Sequence, residues 1–251
     1  MSKFSGMQID DVLLRVVGRG GYYVDVGAND GINGSVTFTL DVLGGWNGIC
    51  IEAVDHLFKN LCSLEALGLG RGRQCIKEHA AVAGSEKEVE FLWGLRNPEN
   101  PSCGGSGMVE FMREGHLNGL LNRGYFIRKK VQAVTLESIL KKHNAPKRID
   151  FLKIDIEGAE EEVLSTFPFD KYTFSLILLE EDRGPDVPTI EKKLNISKLL
   201  INNDYLPLGF EDDSNFKYIH KSCPHLYKDF TYDPITTYVC EECGGGRRFF
   251  E

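Results

Sequence analysis

The residues best suited to chemistry follow short apolar runs: Asp25-Val26-Gly27-Ala28-Asn29-Asp30-Gly31, Glu52, His79-Ala80-Ala81, Asp155-Ile156-Glu157-Gly158 and Glu180-Glu181. If those runs are neighbouring strands of an open parallel sheet, their carboxyl ends share one crevice, which is where such sheets hold ligands. Glycine at 27 and 31 permits turn conformations closed to other residues and lets a ligand lie against bare backbone. Glu52 is placed to accept two hydrogen bonds from a ribose diol. Dinucleotide folds use an acid there too, so Glu52 alone does not discriminate. The glycine spacing does: a dinucleotide site wants G-x-G-x-x-G, whereas this chain has Gly27-x-x-x-Gly31-x-x-Gly34 with Ala28 and Asn29 between. A cleft rimmed by Asp25, Asp30, Glu52, Asp155 and Glu180 complements a cation better than a pyrophosphate.

The elements that must position these groups are legible as alternating apolar runs and helical stretches. Tyr22 to Val26 reads as a buried strand, followed by a glycine-rich turn, a helix from about Ser35 to Leu43 and a strand from Gly48 to Glu52. Leu57, Phe58, Leu61, Leu64 and Leu67 have the three-and-four spacing of a helix with one buried face. Gln74 to His79 is a third strand and Glu88 to Trp93 a peripheral fourth. Asn97 to Gly107 reads as a loop, Met108 to Asn122 as a weak helix, and Phe126 to Val134 as extended chain. Thr135 caps a helix running through Lys142, with Ser138 where a Glu would complete a capping box. Ile149 to Ile154 and Phe174 to Leu179 are nearly continuous apolar runs, as in strands covered on both faces, with a helix from Ala159 to Phe167 between them. The series predicts an α/β, doubly wound, mostly parallel sheet with right-handed crossovers.

Composition bounds the rest. The chain has 251 residues, enough for one substantial core, and 29 basic against 37 acidic residues give a net charge of −8, which argues against general affinity for nucleic acid or anionic lipid. The stretch Arg128, Lys129, Lys130, Lys141, Lys142, Lys147 and Arg148 could still form a basic patch, although solvated helix and loop faces explain it more simply. No run approaches the ~20 apolar residues of a membrane helix, and the first ten residues lack a signal-peptide core, so a cytoplasmic protein is expected. Seven cysteines without a secretion signal are expected to be reduced. Residues 1–20 read as a lead-in helix, 21–222 as the main domain and 223–251 as a tail. In that tail Cys223, His225, Cys240 and Cys243 resemble zinc ligands imperfectly, and reduced thiols are the plainer reading, so no metal is assigned.

Three segments carry a family resemblance: Val24 to Gly31, Gly45 to Glu52, and Phe151-Leu152-Lys153-Ile154-Asp155-Ile156-Glu157-Gly158-Ala159-Glu160. With Ser35-Val36-Thr37 they resemble the FkbM-type S-adenosylmethionine-dependent methyltransferases over roughly Tyr22 to Glu181. Ala53 stands where the family often has proline. The resemblance implies a class I methyltransferase (Rossmann-like) fold for 21–222 with S-adenosylmethionine as cofactor. It implies that Asp25 and the turn Gly27, Ala28, Asn29, Asp30, Gly31 face the methionine part, that Glu52 takes the ribose, and that the His79 to Ala81 loop, Ala81 included, lies by the adenine. Asp155 and Glu157 would then stand near the transferring methyl. The acceptor expected is a hydroxyl of a small molecule or glycan.

Holding the acceptor in line supplies much of such a reaction, with effective molarities up to ~10⁵–10⁸ M. A base for the hydroxyl proton contributes ~10²–10⁴-fold, and the candidates are Asp155 or Glu180, then Glu157. Acids at a helix start are favoured by its dipole whatever the function, which weighs against reading Glu157 and Glu160 to Glu162 as catalytic. Lys153 is expected to pair with a neighbouring carboxylate. His56, His116 and His143 receive no role. On this reading Glu52→Ala abolishes donor binding and Asp155→Ala spares binding while lowering turnover. The alternatives are a methyltransferase-shaped scaffold without turnover, methylation of a nucleic-acid hydroxyl, and a nicotinamide oxidoreductase, which the glycine spacing disfavours.

Overall fold

The computed structural model describes residues 18–33, 35–63, 73–95, 105–180, 187–208 and 215–223. The expected lead-in helix lies outside them up to residue 17, as do His225, Cys240 and Cys243 of the tail.

Strands β1 (Tyr22–Val26), β2 (Asn47–Glu52), β3 (Ile76–His79), β8 (Arg148–Ile154) and β9 (Thr173–Glu180) form the parallel part of the main sheet. Its order is β10-β11-β9-β8-β1-β2-β3, with β10 (Tyr205–Leu208) and β11 (Asn215–His220) as an antiparallel hairpin at one edge. The chain leaves β1 toward β2 and β3, then returns to β8 on the other side, so the switch of direction falls between β1 and β8. Helices cover both faces: α1 (Phe38–Val42), α2 (Asp55–Ser63), α4 (Leu136–Lys142), α5 (Glu160–Ser165) and α6 (Val187–Asn202). Alternate strand residues therefore enter different cores. Val24, Ile49, Leu152 and Ile177 pack with α4, α5 and α6. Tyr23, Cys50, Phe151 and Leu178 pack with Val36, Leu40 and Leu61 on the opposite face. This is why the central strands read as nearly continuous apolar runs.

Between β3 and β8 the chain inserts a second sheet, of order β4-β7-β5-β6, from β4 (Ala81–Val82), β5 (Lys87–Gly94), β6 (Gly107–Met108) and β7 (Phe126–Val134). β5 and β7 pair antiparallel over eight positions, Lys87↔Ala133 to Gly94↔Phe126. The peripheral strand and the extended segment of the sequence reading are thus partners. The weak helix begins later than expected: α3 is Glu114–Arg123, closed by Gly124 at φ 71°. Val89, Phe91, Trp93 and Met108 of this sheet pack against Val54, Leu57 and Ala159, which lays it over the carboxyl ends of the main strands.

α4 starts as its sequence dictates, the Thr135 side chain accepting the Ser138 N–H at 3.1 Å. Helix α6 and the β10–β11 hairpin carry no clear sequence signal. Ile196 and Leu200 of α6 are buried while Ile190, Leu194 and Ile201 are exposed, so its apolar residues circle the helix and blur the period. Among the described residues no helix is long and apolar enough to cross a membrane.

Candidate functional site

A cavity of about 230 Å³ opens at the carboxyl ends of β1, β2 and β8, beneath the inserted sheet. A single water needs only ~10–15 Å³, so the space is that of a ligand site. Gly27, Asn29, Glu52, Ala81, Asp155, Glu157 and Glu180 all line it, residues from five separate parts of the chain.

The turn after β1 is shaped by alternation of backbone hand. Gly27, Asn29 and Gly31 have φ of 83°, 56° and 82°. A Cβ on Gly27 would lie 1.9 Å from the Asp155 carbonyl oxygen, so the position needs glycine because the turn after β8 presses against it. Glu52, nearly buried, accepts the Asn29 N–H through Oε2 and the Val54 N–H through Oε1, both at 2.8 Å. Burial outweighs these bonds and pushes its pKa up to about 7. The carboxylate is thus fixed in orientation while keeping lone pairs for a ligand's hydroxyls.

Four of the expected cofactor contacts do not reach the cavity wall. Asp25 is fully buried behind it and takes hydrogen bonds from Ser35 Oγ at 3.0 Å and Thr37 Oγ1 at 2.5 Å. Ala28 is buried, its N–H on the Ile51 carbonyl. Asp30 is spent on the turn itself, accepting the N–H groups of Ile32 at 2.9 Å and Asn33 at 2.7 Å. Gly31 faces inward, its carbonyl accepting Arg73 Nη1 at 2.9 Å. The rim of five acids expected from sequence is corrected to Glu52, Asp155 and Glu180, joined by Glu157.

Arg73, which the sequence reading passed over, is the anchor of this turn. It is 1% exposed and also donates to Asp41 Oδ2 at 3.2 Å, Ser35 Oγ at 2.7 Å and Tyr23 Oη at 3.1 Å. Through Ser35 and Thr37 it supports the two hydroxyls that hold Asp25. An arginine between a helix and a strand gives no sequence signal for such a role.

Lys153 pairs with a carboxylate, as expected. It donates to Asp155 Oδ2 at 2.9 Å and to the Gly27 carbonyl at 3.0 Å, and lies 3.7 Å from Asp25 Oδ1. Burial opposes its charge, but Asp155, Asp25 and Glu180 outweigh burial and raise its pKa. Burial likewise opposes the Asp155 charge, and Lys153 with a hydrogen bond from Glu180 lowers its pKa nonetheless. Glu180 is left with the proton: lost hydration and the Asp155 charge push it up to about 8.

Glu160, the acid at the start of α5, is structural. Its Oε1 accepts the N–H groups of Ile156 and Gly158, and its Oε2 takes Lys192 Nζ at 3.0 Å, locking the turn that carries Glu157. Ala80 and Ala81 line the cavity, with Val54, Leu57, Val82 and Phe91 making that end apolar. His79 turns away to stack on Phe58 at 4.6 Å.

A doubly wound sheet, a glycine turn at its switch point and an acid at the end of the next strand define a class I methyltransferase fold. The chain belongs to the FkbM methyltransferase domain family, whose model matches residues 25–205. Among solved structures it is similar to methyltransferase FkbM from Methylobacillus flagellatus KT, with 12% identity, a TM-score of 0.45, and 80% of this chain and 44% of that one covered. The chain thus spans less than half of that structure. It is also similar to a human methyltransferase 10 domain containing protein (11% identity, TM-score 0.44, coverage 85% and 80%). A third is precorrin-6y C5,15-methyltransferase from Geobacter metallireducens GS-15 (11%, 0.42, 84% and 88%). No curated protein matches the chain.

Proposed function

We propose that the protein is an S-adenosylmethionine-dependent O-methyltransferase acting on a hydroxyl of a small molecule or glycan. The observation that carries this reading is the cavity lining: four carboxylates, Glu52, Asp155, Glu157 and Glu180, and no Lys or Arg among the described lining residues. Even with a proton on Glu180, an acidic lining without a facing cation suits a cationic cofactor and a neutral hydroxyl acceptor better than a phosphate-bearing one.

The residues fit that cofactor. The apolar end at Val54, Leu57, Ala81, Val82 and Phe91 suits a purine, Glu52 beside it suits the ribose diol, and the acids beyond suit a sulfonium. S-adenosylmethionine, when bound, supplies a methyl group on sulfur that departs as a neutral thioether. The protein's own work is to orient the ribose through Glu52, hold the acceptor in line, exclude water beneath the inserted sheet, and accept the hydroxyl proton on a carboxylate.

The basic stretch does not favour a nucleic acid. Arg128 pairs with Glu90, Lys129 with Asp55, Lys130 with Glu88, Lys141 with Glu137 and Lys142 with Glu78, at 2.7–2.9 Å. Incubation with tritiated S-adenosylmethionine and panels of sugars, methyl glycosides, amines and RNA tests the proposal. Label in a base-stable ether on a sugar or alcohol supports it; label confined to an amine or RNA sinks it.

A further inference from the structure

We infer that His116 and Glu157 act as a pair, Glu157 taking the proton of the acceptor hydroxyl and His116 receiving that proton from it. The inference rests on the O-methyl transfer proposed above.

The two residues come from distant parts of the chain. His116 is on α3, within the insertion, and Glu157 is in the turn after β8. His116 Nδ1 lies 3.8 Å from Glu157 Oε2, and its Nε2 lies 2.8 Å from the Gly105 carbonyl oxygen. A carbonyl only accepts, so Nε2 carries the hydrogen, and in the neutral ring the lone pair is on Nδ1, facing Glu157. Gly105 and Glu157 both line the cavity, which puts the far side of this pair at the acceptor's end.

The backbone is bent to make the contact. Gly105 has φ 76°, and a Cβ there would fall 2.4 Å from the imidazole. Glu157 itself has φ 55°, rare for a residue with a side chain, and Gly158 follows at φ 120°. A Cβ on Gly158 would strike the Phe111 carbonyl at 2.2 Å. For a residue with a side chain, such as Glu157, this conformation is costly and persists where the surroundings over-determine it. Here Glu160 and Lys192 do so, Lys192 also donating to the Gly158 carbonyl at 2.7 Å.

Among the described residues, the charged groups that face Glu157 include His116 and Glu180, with Asp155 on the same cavity wall and Lys153 behind Asp155. Asp155 is a poor base because Lys153, 2.9 Å away, stabilises its charge, and the Asp155 charge in turn favours the protonated form of Glu180. Glu157 differs from both in having a second acceptor behind it. As the hydroxyl O–H bond breaks, its proton passes to a Glu157 oxygen and the freed electron pair on the acceptor oxygen bonds to the methyl carbon. The electron pair of the breaking carbon–sulfur bond stays on sulfur, and the proton moves on to His116 Nδ1.

The test uses the full chain, tritiated S-adenosylmethionine and the methyl glycoside panel, with S-adenosylhomocysteine binding followed by calorimetry. Glu157→Gln is expected to lower kcat ~10²–10⁴-fold and His116→Gln ~10–100-fold, with product affinity unchanged within about twofold. Glutamine at 116 keeps a donor for Gly105 but cannot take a proton, so a merely structural histidine would be rescued by it. Added imidazole should restore turnover to His116→Ala and not to Glu157→Gln. Nitrogen-15 NMR should find the Nε2–H tautomer at His116. Full turnover in His116→Gln, absence of imidazole rescue, or an Nδ1–H ring overturns the pair. A wild-type protein that binds S-adenosylhomocysteine but labels no hydroxyl overturns the O-methylation beneath it, and one that does not bind overturns the cofactor assignment itself.

Discussion

Glu52 carries a pH signature that follows from its burial. Its pKa stands at about 7 in the folded protein against 4.5 ordinarily, so the fold holds the proton more tightly than the unfolded chain does. Stability is therefore lost as pH rises from about 4.5 to about 7 and is level above that. Two ribose hydroxyls donating to the carboxylate favour its ionised form. Affinity for S-adenosylhomocysteine should accordingly rise about tenfold between about pH 6 and about pH 8, measured by calorimetry, while Glu52→Gln shows no such rise and binds ~10–100-fold more weakly. For Asp155 the structure adds a stability cost to the loss of turnover expected from sequence. Because Lys153 is only 5% exposed and leans on Asp155, Asp155→Ala strands a buried ammonium and should cost ~3–5 kcal/mol, read as a lowered midpoint in urea, as well as turnover. An unchanged midpoint would mean that Asp25 alone suffices for Lys153. Glu52, Asp155 and Glu180 could be singled out in the sequence because each ends an apolar run. That Asp25 and Asp30 turn away could not, since two hydroxyls from Ser35 and Thr37, and the turn's own amides, claim them first.

At the level of elements, the site depends on two turns pressed together. Gly27→Ala would drive a Cβ to 1.9 Å from the Asp155 carbonyl and force an alanine to φ 83°, so it should destabilise by more than ~3 kcal/mol or prevent folding. Arg73→Lys tests the anchor from outside the cavity. A lysine cannot reproduce the fork that grips Gly31, Ser35, Tyr23 and Asp41, so we expect a loss of ~2–4 kcal/mol in stability together with weaker product binding. Lost stability with unchanged affinity would separate the network from the turn. The central parallel strands β1, β2, β8 and β9 were legible because burial on both faces leaves them mostly apolar. The β10–β11 hairpin was not, for physical reasons: Pro207 occupies an edge strand, where a missing N–H is tolerated, and Lys217 is a buried lysine inside β11. Glu88 to Trp93 and Phe126 to Val134 were each visible as extended chain, but their pairing joins residues some 40 positions apart and leaves no local mark.

For the whole molecule, the expected response to ligands is simple. S-adenosylhomocysteine at 100 times its dissociation constant should add about 2.7 kcal/mol and raise the melting temperature by about 5–10 °C, and NAD should not. A rise with NAD alone would return the nicotinamide reading. The net charge of −8 acquired a finer meaning once the chain was folded, since Glu88 and Glu90 of the inserted sheet and Glu78 of β3 pair with the basic stretch while four other acids line one cavity. By itself the sequence determined the alternation of strands and helices, the glycine turn and the acids at strand ends, because burial, helical periodicity and turn chemistry act on neighbouring residues. Only the tertiary structure decided which carboxylates see the cavity, which one carries a proton, and that His116 stands behind Glu157. Those outcomes depend on register and on charges brought together from distant positions, and no local pattern encodes either.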